Sequence, residues 1–282
     1  MILHLLLGLA ASTLMAAGLV MMKGRAAALP EARRANFLAA LLRWFTDPVW
    51  MGGVALQTLG YALYLAALAG TPVSILSVVM QGGVALFILG AVLFLGEHAT
   101  GAEWFGIAMV VFAMIAVACS LGRDAATSRL NPTELALVTG AGLIGAALPG
   151  LGAGLRANGV ALALASGCAF GLAALYAKAL TGLFAADPGA PLWLRLAANP
   201  YLYLTVAANF GGMVMLQNAF HRARGLIAMP LSSALSNLVP IAGGMVAFGE
   251  RLPDEPALAA MRVAAFVMTI AGGVLMARAR PG

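Results

Sequence analysis

The 282 residues are 62% hydrophobic and only 9% charged, with a mean hydropathy of +0.97. A water-soluble domain carries about 25% charged residues, so this chain cannot cover itself with a water-facing surface and reads as an all-α integral membrane protein. The net charge of +6 is then an orientation signal carried by inter-helix loops; no tract interleaves basic and aromatic residues as a nucleic-acid binder would.

The first apolar run, Leu3 to Met22, is long enough to cross a bilayer. Its basic residues, Lys23 and Arg25, come after it, the reverse of a cleavable signal, so it reads as a retained span with its N-terminus outside. Residues 29–46 hold Arg33, Arg34 and Arg43, too many for a full span. A helix there places Phe37, Leu41, Trp44 and Phe45 on one side and Asn36 and Arg43 opposite, the pattern of a helix lying at the cytoplasmic interface. Asp47-Pro48 opens a second span to Ala69, and Gly70-Thr71-Pro72 is a tight turn into the third, which ends at Gly96-Glu97. A short loop leads to a fourth span, Trp104 to Leu121, followed by a polar linker, 123–133. The fifth span is Glu134 to Gly154 and the sixth Asn158 to Leu183. A second interfacial interlude, 187–198, precedes Asn199-Pro200, which opens the seventh span to Phe220; the eighth is Gly225 to Gly249 and the ninth Ala257 to Ala277.

The chain repeats itself. Laying Glu97 on Glu250 puts Gly90 on Gly243 and Gly96 on Gly249; Asp47-Pro48 pairs with Asn199-Pro200, Gln57 then falls on Asn209, and Lys23 pairs with Lys178. Repeat 1 covers 1–122 and repeat 2 covers 158–282, joined by 123–157 with the fifth span. That odd crossing turns the second set over. The expected fold is nine transmembrane helices in two inverted four-helix repeats joined by a linker helix, a duplication that many transporters share. Ten of the 16 basic residues (Lys23, Arg25, Arg33, Arg34, Arg43, Arg156, Arg222, Arg224, Arg278 and Arg280) then flank the cytoplasmic side, and the C-terminus is cytoplasmic.

Polar side chains inside hydrocarbon need partners or water and so face a bundle interior. Gln57, Tyr61 and Tyr64 share one face of the second span; Ser74, Ser77 and Gln81 do so in the third. Thr205, Asn209 and Gln217, with Asn218 beside them, mark the seventh span, and Ser232, Ser233, Ser236 and Asn237 lie between Pro230 and Pro240 in the eighth. Two readings stand: inter-helix glue worth about 0.6 kcal/mol per contact, or the lining of a shared cavity. Recurrence at repeat-related places (Gln57 with Asn209, Gln81 with Asn237) favours the cavity. Ser12, Gln57, Tyr61, Tyr64, Gln81, Asn209, Gln217, Ser233 and Asn237 are therefore the candidate substrate-binding residues. Lys23 and Lys178 either snorkel to headgroups or contact an anionic group. Glu97 and Glu250 end their spans and read as helix-terminating or loop-contact residues.

None of the ten acidic residues sits at mid-span, which weakens both a proton-coupled cation exporter and a site for a desolvated divalent cation. Cys119 and Cys168 have no metal-ligand spacing and the three histidines are scattered, so no metal site and no cofactor is expected. The absence of a nucleophile–base set or nucleotide fingerprint argues against an enzyme. Gly-Gly pairs at 82–83, 211–212, 243–244 and 272–273 sit in spans, where they allow close helix approach.

With first helices ending at Lys23 and Lys178, and third helices ending in Gly96-Glu97 and Gly249-Glu250, the chain resembles the drug/metabolite transporter superfamily over nearly its whole length. It is nearest to EamA-type members and, in helix number, to the NIPA-like magnesium-transporter branch. Each half also resembles a small-multidrug-resistance protomer, but Ser12 and Thr13 stand where that group has its first-helix glutamate. The resemblance implies an inner (plasma) membrane carrier of a small polar or amphipathic solute, working by alternating access as monomer or homodimer among membrane lipids. Alternatives are a Mg²⁺ or other cation transporter, a flippase for a lipid or lipid-linked sugar, and a non-transporting scaffold subunit.

Overall fold

The computed structural model describes residues 2–32, 36–68, 73–98, 100–120, 130–147, 149, 152, 158–181, 191–249 and 255–278; within these, the side chains at 73–81 are among those not described. Every regular element in the described residues is a helix. In chain order they are α1 (Ile2–Ala26), α2 (Phe37–Thr46), α3 (Pro48–Leu68), α4 (Val73–Leu95), α5 (Gly101–Cys119), α6 (Pro132–Ala147), α7 (Gly159–Thr181), α8 (Leu192–Ala197), α9 (Pro200–Arg222), α10 (Gly225–Ala247) and α11 (Pro256–Arg278). Among the described residues, three segments, Leu6–Ala26, Gly159–Leu180 and Gly225–Ala247, are long and apolar enough to cross a membrane. This is a membrane protein by composition and by helix length.

The helix boundaries follow from local chemistry. Asp47 and Asn199, matched between the repeats, both cap a helix that starts at a proline: Asp47 Oδ1 accepts from Trp50 N at 2.8 Å and Asn199 Oδ1 from Tyr201 N at 2.9 Å. Proline fits there because the first helical N–H has no intrahelical partner. At the other end of the repeat, Gly96 and Gly249 adopt φ of 65° and 64°, the left-handed conformation that stops a helix. After Gly96 the Glu97 N–H reaches back to Ala91 O at 3.2 Å, closing the turn.

Some boundaries differ from the sequence reading. The interfacial stretch is helical only over Phe37–Thr46. The four side chains read as one face of it divide: Trp44 is fully buried and Leu41 packs inward, whereas Phe37 and Phe45 are exposed. The fourth span starts earlier, at Gly101, because Thr100 and Glu103 form a reciprocal cap in which Thr100 N donates to Glu103 Oε2 at 2.8 Å and Glu103 N to Thr100 Oγ1 at 3.3 Å. The expected turn at 70–72, the end of the fourth span at Leu121 and most of the polar linker (123–129) lie outside the described residues.

The packing pattern recurs. α1 packs on α3 and α4, and α7 packs on α9 and α10; the fourth members of the two sets, α5 and α11, pack on each other. Lipid tails are as apolar as leucine, so close packing rather than water exclusion holds such helices together, and glycines supply it. A β-carbon on Gly18 of α1 would lie 2.5 Å from Gly53 O of α3, and one on Gly167 of α7 would lie 2.5 Å from Ser232 O of α10. Between α5 and α11 the same role falls to Gly272, 2.8 Å from Gly106 O. In two of the Gly-Gly pairs only one member is needed: Gly83 and Gly212 meet neighbours, whereas Gly82 and Gly211 face open space. The largest core cluster joins both sets, with Phe87 of α4 stacked on Phe220 of α9 at 5.9 Å and 9° between ring planes.

Candidate functional site

One end of the bundle is closed by charge. Lys23, in the last turn of α1, donates to Phe220 O at 2.7 Å and Ala223 O at 2.9 Å, the carbonyls that α9 leaves unpaired at its C-terminus. Its ammonium is also 3.5 Å from Glu97 Oε1, with the two side chains only 13% and 10% exposed. Glu97 in turn caps the N-terminus of α10, its two oxygens accepting from Gly225 N at 2.7 Å and Leu226 N at 2.9 Å. An anion at a helix N-terminus and a cation at a C-terminus each complement the helix dipole.

Further links reinforce this end. Arg224 pairs with the buried Glu103 and donates to His98 O; Arg222 forms a bidentate pair with Glu31 through Nε and Nη2. The Asn218 side-chain amide accepts from Ala32 N at 3.0 Å and donates to Ala32 O at 2.9 Å. Each of these joins a residue before 104 to one between 218 and 226. Arg25 and Asp47 form a bidentate pair on the flank, the Arg25 Nη2 to Asp47 Oδ2 distance being 2.6 Å. The Arg25 guanidinium beside it, helped by the Trp50 N–H, holds the Asp47 carboxyl below its usual range.

The candidate polar residues lie deeper. At a rise of 1.5 Å per residue, Ser12, Gln57, Asn209, Ser233 and Asn237 all fall about 12–20 Å from the closed end along their helices. Gln57 lies against Gly18 of α1 and makes no hydrogen bond to the described residues. Ser12 is 1% exposed, packs beside Gly83 of α4, and its hydroxyl has no partner among them. Tyr61 and Tyr64 stack at 6.0 Å on α3, with Tyr61 53% exposed. Asn209 is exposed and turns its amide back to Thr205 O at 2.9 Å; Asn237 does the same to Ser233 O at 2.7 Å. Both bonds are local, each made to a carbonyl one turn earlier in the same helix. Ser74, Ser77, Gln81 and Glu250 lie outside what is described.

Gln217 stands apart. It lies on α9 about 7 Å inside the closed end by the same count, is 1% exposed, and neither Nε2 nor Oε1 has a partner among the described residues. By contrast, Ser232 is satisfied by Ser166 at 2.7 Å between α10 and α7 and is helix glue. Lys178 lies over the Phe248 ring, 4.7 Å from its centroid.

Sequence reasoning did not identify Glu103, Arg224, Glu31 or Arg222 as contacts between the two halves of the chain. The Thr100-x-x-Glu103 spacing is a readable helix-start signal, but its second partner, Arg224, is 121 positions away and leaves no local trace. No known family, curated protein or solved structure matches this chain.

Proposed function

We propose that the chain is a membrane carrier of a small polar or amphipathic solute, built as two inverted four-helix repeats and working by alternating access in an inner (plasma) membrane. Two features support the inversion. The end of α4 meets the start of α10 through Glu97, so equivalent third helices run opposite ways. Within each repeat the ends of the first and third helices lie together, Lys23 by Glu97 and Lys178 by Phe248. The closed end is then one of two gates, and rocking of the repeats opens it while sealing the other.

The observation that carries the reading is Gln217. A buried amide with both atoms unpaired costs about 1–3 kcal/mol, a cost that stability alone would remove by substituting leucine. A solute with one donor and one acceptor satisfies it, and the buried Ser12 hydroxyl is a further group without a partner among the described residues. The test is a thermal-shift screen of purified protein against amino acids, amines, metabolites, Mg²⁺ and lipids, repeated on Gln217→Leu. Leucine is expected to leave the melting temperature unchanged or raised and to abolish the shift caused by any stabilising solute. A solute shift that survives in Gln217→Leu rejects this site.

A further inference from the structure

Beside Lys23, on the outer flank of the closed end, the segment after α1, the end of α2 and the start of α3 enclose an open cleft of about 610 Å³. Arg25, Leu29, Pro30, Arg43, Thr46 and Asp47 line it. The charges in it are unequal. Asp47 takes Nε and Nη2 of Arg25 and the Trp50 N–H, which leaves Arg25 Nη1 without a bond among the described residues; the Arg25 side chain is 38% exposed. Arg43 is exposed and has no carboxylate partner among the described residues. Two guanidiniums against one carboxylate leave a single positive charge, aimed into a space that is open on one side.

What adjoins the cleft decides what fills it. α2 is anchored to the protein by Trp44, fully buried and donating Nε1–H to Pro30 O at 2.9 Å. Its outer arc carries Phe37, Leu38, Leu42 and Phe45 at 41–70% exposure. At 100° per residue the centre of that arc is about 160° from Arg43. A short helix with leucines outward on one side and an arginine on the other lies in the plane of a membrane interface, acyl chains below and headgroups above. We propose that the cleft between α1, α2 and α3 holds the phosphate of one anionic phospholipid, bound by Arg43 and Arg25 Nη1, with its chains against Leu38 and Leu42. The local charge of +1 matches a phosphodiester monoanion. A zwitterionic lipid brings its own cation into a cleft that already has a surplus, so it binds less well. This site is separate from the polar interior and does not depend on transport.

The experiment is native mass spectrometry of the detergent-purified full chain with equal amounts of phosphatidylglycerol and phosphatidylcholine. Wild type is expected to retain phosphatidylglycerol about fivefold in preference, the scale of one basic residue at an anionic surface. Arg43→Gln, an exposed change, is expected to bring the ratio close to one, and Leu38→Ser with Leu42→Ser to lower retention of both lipids. A second measurement, with Trp104→Phe and Trp193→Phe so that only Trp44 and Trp50 report, compares quenching of tryptophan fluorescence by brominated phosphatidylglycerol and brominated phosphatidylcholine, and stronger quenching by the former is expected. Equal retention in wild type, or a preference unchanged in Arg43→Gln, overturns the proposal. So does displacement of the lipid by millimolar glycerol phosphate, which would make this a site for free phosphate.

Discussion

Glu97 and Lys23 meet 3.5 Å apart at the point where α4 ends and α10 begins, and each also closes a helix terminus of the other half of the chain. The pair is a joint rather than an isolated ion pair. Glu97→Ala removes the cap of α10, worth about 1–2 kcal/mol, and leaves the Lys23 ammonium nearly buried without its carboxylate. Removing one partner of a buried pair costs about 3–5 kcal/mol; here the two carbonyls still hold Lys23, so a loss at the lower end is expected. The check is the melting temperature in detergent, where Glu97→Ala should fall clearly below Glu97→Gln, which keeps one acceptor for the α10 amides.

Glu103 and Arg224 make the same argument in a more buried place. Glu103 is 1% exposed, so Arg224→Ala leaves a buried carboxylate with only Thr100 as partner. A loss of about 3–5 kcal/mol is expected, partly recovered when Glu103→Gln is added. Double-mutant melting curves measure it, and additive losses would contradict a direct pair.

Helix packing gives a contrast that needs no function. Gly18→Leu and Gly53→Leu must push apart backbones that already touch, and a cost of about 1–3 kcal/mol or more is expected for each. Gly211→Ala meets nothing within 4 Å and should be neutral, or stabilising by about 0.5–1 kcal/mol through helix propensity. Equal melting temperatures for Gly18→Leu and Gly211→Ala would contradict the α1–α3 crossing.

The Asp47–Arg25 pair sets a pH dependence. The folded Asp47 carboxyl titrates below its unfolded value near 3.9, so its contribution is present in full above that value and is lost as pH falls through the lower, folded one. The corner between α2 and α3 is therefore expected to be intact at neutral pH and to loosen below about pH 4. Tryptophan fluorescence follows it, because Trp44 and Trp50 are buried there with rings 5.7 Å apart. Asp47→Asn should show the loosened signal at pH 7 and lose the acid transition.

How far the sequence reaches is clearest at the repeat landmarks. Asp47-Pro48 and Asn199-Pro200, Gly96 and Gly249 are local signals, and each appears in the structure as the cap or stop that its chemistry requires. The recurrence of α1 on α3 and α4 in α7 on α9 and α10 accords with the same matching. The closed end was not legible. Apart from Lys23 and Glu97, which are 74 positions apart, its links join residues more than 120 positions apart, and charge position in a loop says nothing about which loop it faces. Equally, composition marked Gln57, Asn209 and Gln217 alike, but only packing separates a buried, unpaired Gln217 from an exposed Asn209 bonded to its own helix.

The central claim is that the two repeats lie upside down to each other in the membrane. Thr46 and Ala198, each exposed and each just before a matched cap, mark the same place in the two halves. With Cys119 and Cys168 replaced by alanine, Thr46→Cys and Ala198→Cys are to be labelled in intact cells by a membrane-impermeant thiol reagent. The account predicts that Ala198→Cys reacts from outside and Thr46→Cys only after permeabilisation; labelling of both from the same side would contradict it.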